Sequence, residues 1–226
     1  MGERRVAYTG IRKFIGDSML KSVTTYPQAR SYINCDMGAL LKLQEEYKKE
    51  GHKISTTALM VKLIGTALKK FPELNCRMEG NEIVYYDQIN CAVAMDIGNG
   101  LYVLTIRDVD KKSLIEVDAD FRDLIERTKN NKLTLDDMKG STFTLNCFAT
   151  MRAEYFESII ANDQCIIVGI GGINKQVVVD ENDQIVIRPI AKVVVNMNHA
   201  LCDGKTIYFI MDHIYEMCKN PKEFIN

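Results

Sequence analysis

The chain has 226 residues, 46% of them apolar and 26% charged, the balance of an ordinary globular protein with room for a sizeable core. Its 29 Lys and Arg face 30 Asp and Glu, and no basic block stands out, so nothing points to nucleic acid or an anionic membrane as a partner. No apolar run is long enough to cross a bilayer, and no hydrophobic segment follows the opening MGERRVAYTG, so a cytoplasmic protein is expected.

The first predicted helix lies in TGIRKFIGDSMLKSV, with Thr9 as its cap and Ile11, Ile15, Met19 and Leu20 on one side. A strand over 29–35 follows. Asp36 is then expected to cap a helix over MGALLKLQEEYKKEG, with Gly51 as its stop. Ser55 opens TTALMVKLIGTALKKFP, where two adjacent apolar lines predict a helix buried against a sheet. NCRMEGNEIVYY reads as a hairpin around Gly80. INCAVAMD and LYVLTIRD are strands joined by IGNG. Ser113 and Glu116 form a capping box for LIEVDADFRDLIERTKNN, and Thr134 and Asp137 repeat the pattern before a shorter turn. GSTFTLNCF and QCIIVGIGG are further strands, KQVVVDENDQIVIRP is a hairpin, and IAKVVVNMN is the last strand. A closing helix, GKTIYFIMDHIYEMCK, carries Ile207, Ile210, Met211 and Ile214 on one face. Helices and hairpins alternate without a regular βαβ repeat. That predicts an α/β chain of α+β two-layer type, a mixed sheet flanked by helices, in a single domain over 1–226.

Chemistry-bearing residues are few. The seven cysteines are widely spaced with no CxxC, which suits small buried hydrophobes in a reducing compartment. GIGG lacks the dinucleotide spacing and precedes a strand, so it is no nucleotide site. The three histidines, His52, His199 and His213, are too scattered for a zinc motif, and no metal is expected. His199 is the most suggestive. It follows a probable strand, and Asp203 and Gly204 follow it before a helix. An imidazole there can project from a rigid support and take a proton near neutral pH. Gly204 would permit a sharp turn, and Asp203 could hold a cation or fix the backbone. A packed or surface histidine is the plainer alternative. Cys202 could be a nucleophile, but a thiol packing the turn is the simpler account.

NHALCDGK resembles the HxxxDG segment of the superfamily of chloramphenicol acetyltransferases and 2-oxo acid dehydrogenase acyltransferases. The body of the chain looks more like the catalytic domain of the dehydrogenase enzymes. TGIRKFIGDSML, ELNCRMEGNEIVYYDQINCAVAMD, LTLDDMKGSTFTL and FESIIANDQCIIVGIGG follow that pattern in order. The resemblance implies a chloramphenicol acetyltransferase-like fold and a homotrimer, with active sites between subunits and higher assembly left open. It implies acyl-coenzyme A as co-substrate, with no tightly bound cofactor. His199 would be the general base. Asp203 would pair with Arg12 to support the turn. The oxyanion donor, usually serine or threonine, falls on Asn146, with Thr144 as an accessory. An amide N–H can donate a comparable hydrogen bond. Lipoyl and peripheral-subunit-binding domains are not expected in the chain. A freestanding enzyme with a small hydroxyl, thiol or amine acceptor is therefore the first expectation. Service to lipoyl groups on a separate chain, or a non-catalytic trimeric scaffold, are the alternatives.

Overall fold

The computed structural model describes residues 2–96 and 101–225; the IGNG connection at 97–100 lies outside them. Five helices and nine strands follow in chain order: α1 (Gly10–Thr25), β1 (Gln28–Asp36), α2 (Gly38–Lys49), α3 (Thr56–Lys70), β2 (Cys76–Glu79), β3 (Glu82–Tyr85), β4 (Cys91–Asp96), β5 (Leu101–Ile106), α4 (Leu114–Lys129), β6 (Phe143–Cys147), β7 (Ile166–Ile170), β8 (Asn174–Val179), β9 (Ile185–Asn198) and α5 (Gly204–Lys219).

Local signals set several boundaries. The Ser55 hydroxyl accepts from the Ala58 N–H at the start of α3. Ser113 and Glu116 close a reciprocal capping box on α4. Both satisfy backbone donors that a helix start leaves open. Gly51, at φ 94°, follows α2, and Gly80, at φ 60°, turns the β2–β3 hairpin; both conformations suit glycine. Two expectations change. Thr9 stands at the cap position of α1 but makes no side-chain cap bond. Met37, rather than Asp36, is the cap of α2, and the Asp36 carboxylate accepts from the Gly38 N–H at 2.8 Å.

Seven strands form one mixed sheet in the order β1-β9-β7-β6-β4-β5, with β8 paired to the first half of β9. The β4–β6 and β6–β7 pairs are parallel; the remaining pairs are antiparallel. The predicted final strand and the second arm of the preceding hairpin are one continuous 14-residue strand, β9. It passes through Pro189, whose carbonyl accepts from Met37 N–H at 2.8 Å. Alternation then divides β9. Val193, Val195 and Met197 enter the core beneath the helices, while Val194, Asn196 and Asn198 lie on the opposite face.

The core packs that first face against α2, α3, α4 and α5. Leu59, Leu63, Ile64 and Leu68 of α3 are fully buried, each contributing about 1.5–3 kcal/mol over exposure. Ile207, Ile210, Met211 and Ile214 of α5 are buried as their spacing predicts. By contrast, α1 leaves Phe14, Ile15, Leu20 and Val23 exposed, so its apolar side is not part of this core. Lys62 is buried within α3 and donates to the carbonyls of Val109, Asp110 and Lys112 at 3.3, 3.0 and 2.6 Å.

A segment over 149–160 that turns at 149–152 lies against the opposite face of the sheet. The glycines of GIGG make room for it. A Cβ at Gly169 would meet the Phe156 ring at 3.1 Å; at Gly171 it would collide with the Glu154 carbonyl, and at Gly172 with that of Met151. The glycine run serves close backbone packing.

Candidate active site

The last residue of β9 builds the turn that presents His199. Asn198 is fully buried, and its N–H donates to the Cys165 carbonyl at 2.8 Å. Its side-chain Oδ1 accepts from Ala200 N–H at 3.0 Å, and its carbonyl accepts from Leu201 N–H at 2.9 Å. The His199 N–H donates to the Pro27 carbonyl at 2.8 Å. Backbone on both sides of the histidine is thereby pinned, while the residue itself is exposed. In the sequence Asn198 stands out only as a departure from the DHRxxDG wording usual in the dehydrogenase enzymes, although an amide before a predicted turn is also a local capping signal.

Asp203 is the N-cap residue of α5, but its side chain makes no cap bond. Gly204 has open space where a Cβ would sit and does not adopt a left-handed φ, so the turn does not require glycine there. The closure comes from Asn198 instead. Arg12 is exposed on α1, and among the described residues the expected ion pair does not join it to Asp203. Cys202 packs the turn, its sulfur 3.7 Å from Met197 Sδ and 3.8 Å from the Asn198 carbonyl.

Asn146 sits near the end of β6, half-buried. Its Nδ2 donates to Ser158 Oγ at 2.8 Å, and its Oδ1 is buried without a partner. Thr144 shares that sheet face but is buried, and its hydroxyl donates to Gln164 Oε1 at 2.7 Å. Gln164 in turn donates to Ser141 Oγ at 3.1 Å. Thr144 is committed to this internal network and is not a free accessory donor.

The strand register fixes how far the two halves of the expected site stand apart. Met197 pairs with Ile166 and Ile167 with Thr144, so counting along the ladders brings His199 level with Gln164 and Ser141. Asn146 lies five positions further along β6 (146 minus 141) and two strands across. At about 3.3 Å per residue and about 4.8 Å per strand, the separation is roughly 16 Å along and 10 Å across, or about 19 Å in all. One chain does not bring His199 and Asn146 together. A groove of about 380 Å³ between β1 and α5 reaches the turn only at Met197 and Gly204 and contains neither side chain.

Among the described residues no group of three or more His, Cys, Asp or Glu could hold a metal ion. No helix there is long and apolar enough to cross a membrane.

The chain is 30% identical over 223 residues to the dihydrolipoyllysine-residue acetyltransferase component of the pyruvate dehydrogenase complex of Rickettsia prowazekii, covering 96% of this chain and 54% of that protein. It thus spans about half the length of the curated relatives it matches. A probable dihydrolipoamide acetyltransferase from Listeria monocytogenes has the same fold, with a TM-score of 0.89 at 27% identity over 96% of this chain and 95% of that one. The cubic core of a pyruvate dehydrogenase multienzyme complex superposes with a TM-score of 0.90 at 21% identity, over 99% and 94% of the two chains. A chloramphenicol acetyltransferase shares the fold more distantly, with a TM-score of 0.57 at 15% identity over 89% and 94%. A family model described as 2-oxoacid dehydrogenases acyltransferase (catalytic domain) matches residues 1–225, and the chain belongs to that family.

Proposed function

We propose that the protein transfers an acyl group between coenzyme A and a dihydrolipoyl thiol, at sites shared between neighbouring subunits of a trimer. The observation that carries the shared site is the register of β9, β7 and β6, which, extended to His199 with ideal strand spacings, sets it about 19 Å from Asn146. A base and an oxyanion donor must both reach one thioester carbonyl, within hydrogen-bond range of its reacting atoms. A second copy that sets its Asn146 end against the His199 turn completes such a site. The cubic core among the similar structures supports assembly of this kind.

The acceptor follows from the relatives rather than from a pocket. Their names describe transfer to dihydrolipoyllysine residues or lipoamide, which favours a lipoyl group over the small free acceptor first expected. A lipoyl group carried on another part of the protein or on a separate chain fits equally.

In the forward step, the His199 imidazole takes the proton from the attacking thiol. The sulfur adds to the thioester carbonyl, whose electron pair moves to oxygen. Donors at the Asn146 end stabilise that oxyanion. Collapse re-forms the carbonyl and expels the coenzyme A sulfur, which recovers the proton from the imidazolium. One thioester and one thiol are consumed and one of each is formed. The Asn198 turn holds the base in place.

The test measures acyl transfer from acetyl-coenzyme A to dihydrolipoamide, with longer acyl donors in parallel. His199→Ala is expected to lower turnover by about 10²–10⁴-fold. Equal turnover in wild type and variant would refute the assignment.

A further inference from the structure

The residue at the donor end is not alone. Asn146 spends one N–H on Ser158 Oγ, 2.8 Å away, and its Oδ1 is buried and has no donor to accept from. The Ser158 hydroxyl receives that bond on a lone pair. Its own O–H has no acceptor among the described residues. A hydroxyl polarised by an incoming N–H is a stronger donor than an isolated one, because linked hydrogen bonds reinforce each other.

Ser158 is also held in place from several elements. The buried Asn196 of β9 donates from Nδ2 to the Ser158 carbonyl at 2.6 Å and to Gln28 Oε1 at 2.8 Å. Gln28 of β1 donates to Ser22 Oγ at 3.0 Å, and Ser22 of α1 donates to the Ile160 carbonyl at 2.7 Å. Two residues upstream, Phe156 rests on Gly169 and stacks on Phe148 with ring centroids 4.3 Å apart. The segment is therefore clamped on both sides of Ser158. A donor fixed in advance needs little reorganisation when charge develops, which is the condition for effective oxyanion stabilisation.

We propose that the Ser158 hydroxyl is the oxyanion donor of this chain, and that Asn146 is the positioning residue that orients and polarises it. The inference rests on the acyl-transfer reading above and assigns its donor atom. The strand position then keeps its role through a relay: the β6 amide holds a hydroxyl brought from the crossing segment. No proton is transferred by Ser158; its O–H points at the oxygen that carries the negative charge.

The experiment measures kcat, KM and thioester affinity for the full chain with acetyl-coenzyme A and dihydrolipoamide. Ser158→Ala should lower kcat by about 10²–10³-fold with thioester affinity unchanged, as expected for a contact made in the transition state. Ser158→Thr, which restores a hydroxyl, should recover most of the rate. Asn146→Ala should lower kcat in the wild type and add little in the Ser158→Ala background, because its effect runs through the serine. Ser158→Ala within about threefold of wild type, while Asn146→Ala loses about 10²-fold, would overturn the relay and leave Asn146 as the direct donor. A loss in Ser158→Ala that Ser158→Thr does not recover, or that appears in thioester affinity rather than kcat, would overturn it as well. A wild-type chain with no thioester-dependent turnover would overturn the acyl-transfer reading and this inference with it.

Discussion

A mixing experiment tests the proposed shared active site directly. One chain carries His199→Ala and lacks the base. The other carries Asn146→Ala with Ser158→Ala and lacks the donors. With about 19 Å between the two ends of one chain, no single chain supplies both groups to one carbonyl. In the proposed trimer, each site takes its histidine from one subunit and its donors from the next. Random 1:1 mixing then gives a one-half chance of an intact histidine and a one-half chance of intact donors, so about 25% of the sites are whole. Each variant alone should be about 10²–10⁴-fold down. Co-expression should restore roughly a quarter of the wild-type acetyl-coenzyme A turnover, far above either parent. Activity of the mixed assemblies no higher than that of the parents would refute the intersubunit site. Tandem purification through a different tag on each variant isolates the mixed assemblies for the assay.

The remaining predictions concern the packing of the fold. Gly171→Ala forces a methyl against the Glu154 carbonyl, at a cost of about 1–3 kcal/mol, and should lower the melting temperature by about 2–4 °C per kcal/mol while exposing 149–160 to proteolysis. An unchanged melt would show that the segment does not pack as described. Lys62→Met strands three carbonyls that now accept from the ammonium, partly offset by removing a buried charge, so a loss of about 2–4 kcal/mol is expected in a denaturant titration. His213 lies between Phe71 and Phe224, and its burial, with the neighbouring Lys70, holds the imidazole below its ordinary pKa against the opposing pull of Asp212. The unfolded chain therefore binds this proton first. The contribution to stability is whole above the ordinary value of 6.5 and is lost as pH falls from there towards the lowered native value. Urea melts at about pH 5.5 and 7.5 should show this slope, and His213→Gln should flatten it.

Much of the fold was legible in the sequence because its signals are local. The caps at Ser55 and Ser113 need only residues three positions ahead, and both form as expected. The apolar face of α5 also follows from near neighbours. The wording around His199 points to the family to which the chain belongs. Other features are decided only where distant segments meet. Asn196 and Gln28 are 168 positions apart, and Asn146 and Ser158 are 12 apart on different elements, so neither contact leaves a periodic trace. GIGG looks like a failed nucleotide motif until Phe156 and the Glu154 carbonyl are seen to occupy the space its missing side chains leave. Arg12 and Asp203 match the residues of a supporting pair, yet among the described residues no ion pair joins them within the chain. Residue type determined which groups could act as base or donor. Strand order and register, set by burial across the whole sheet, determined that the two ends of the site stand apart in one chain and that a serine from a crossing segment reaches Asn146.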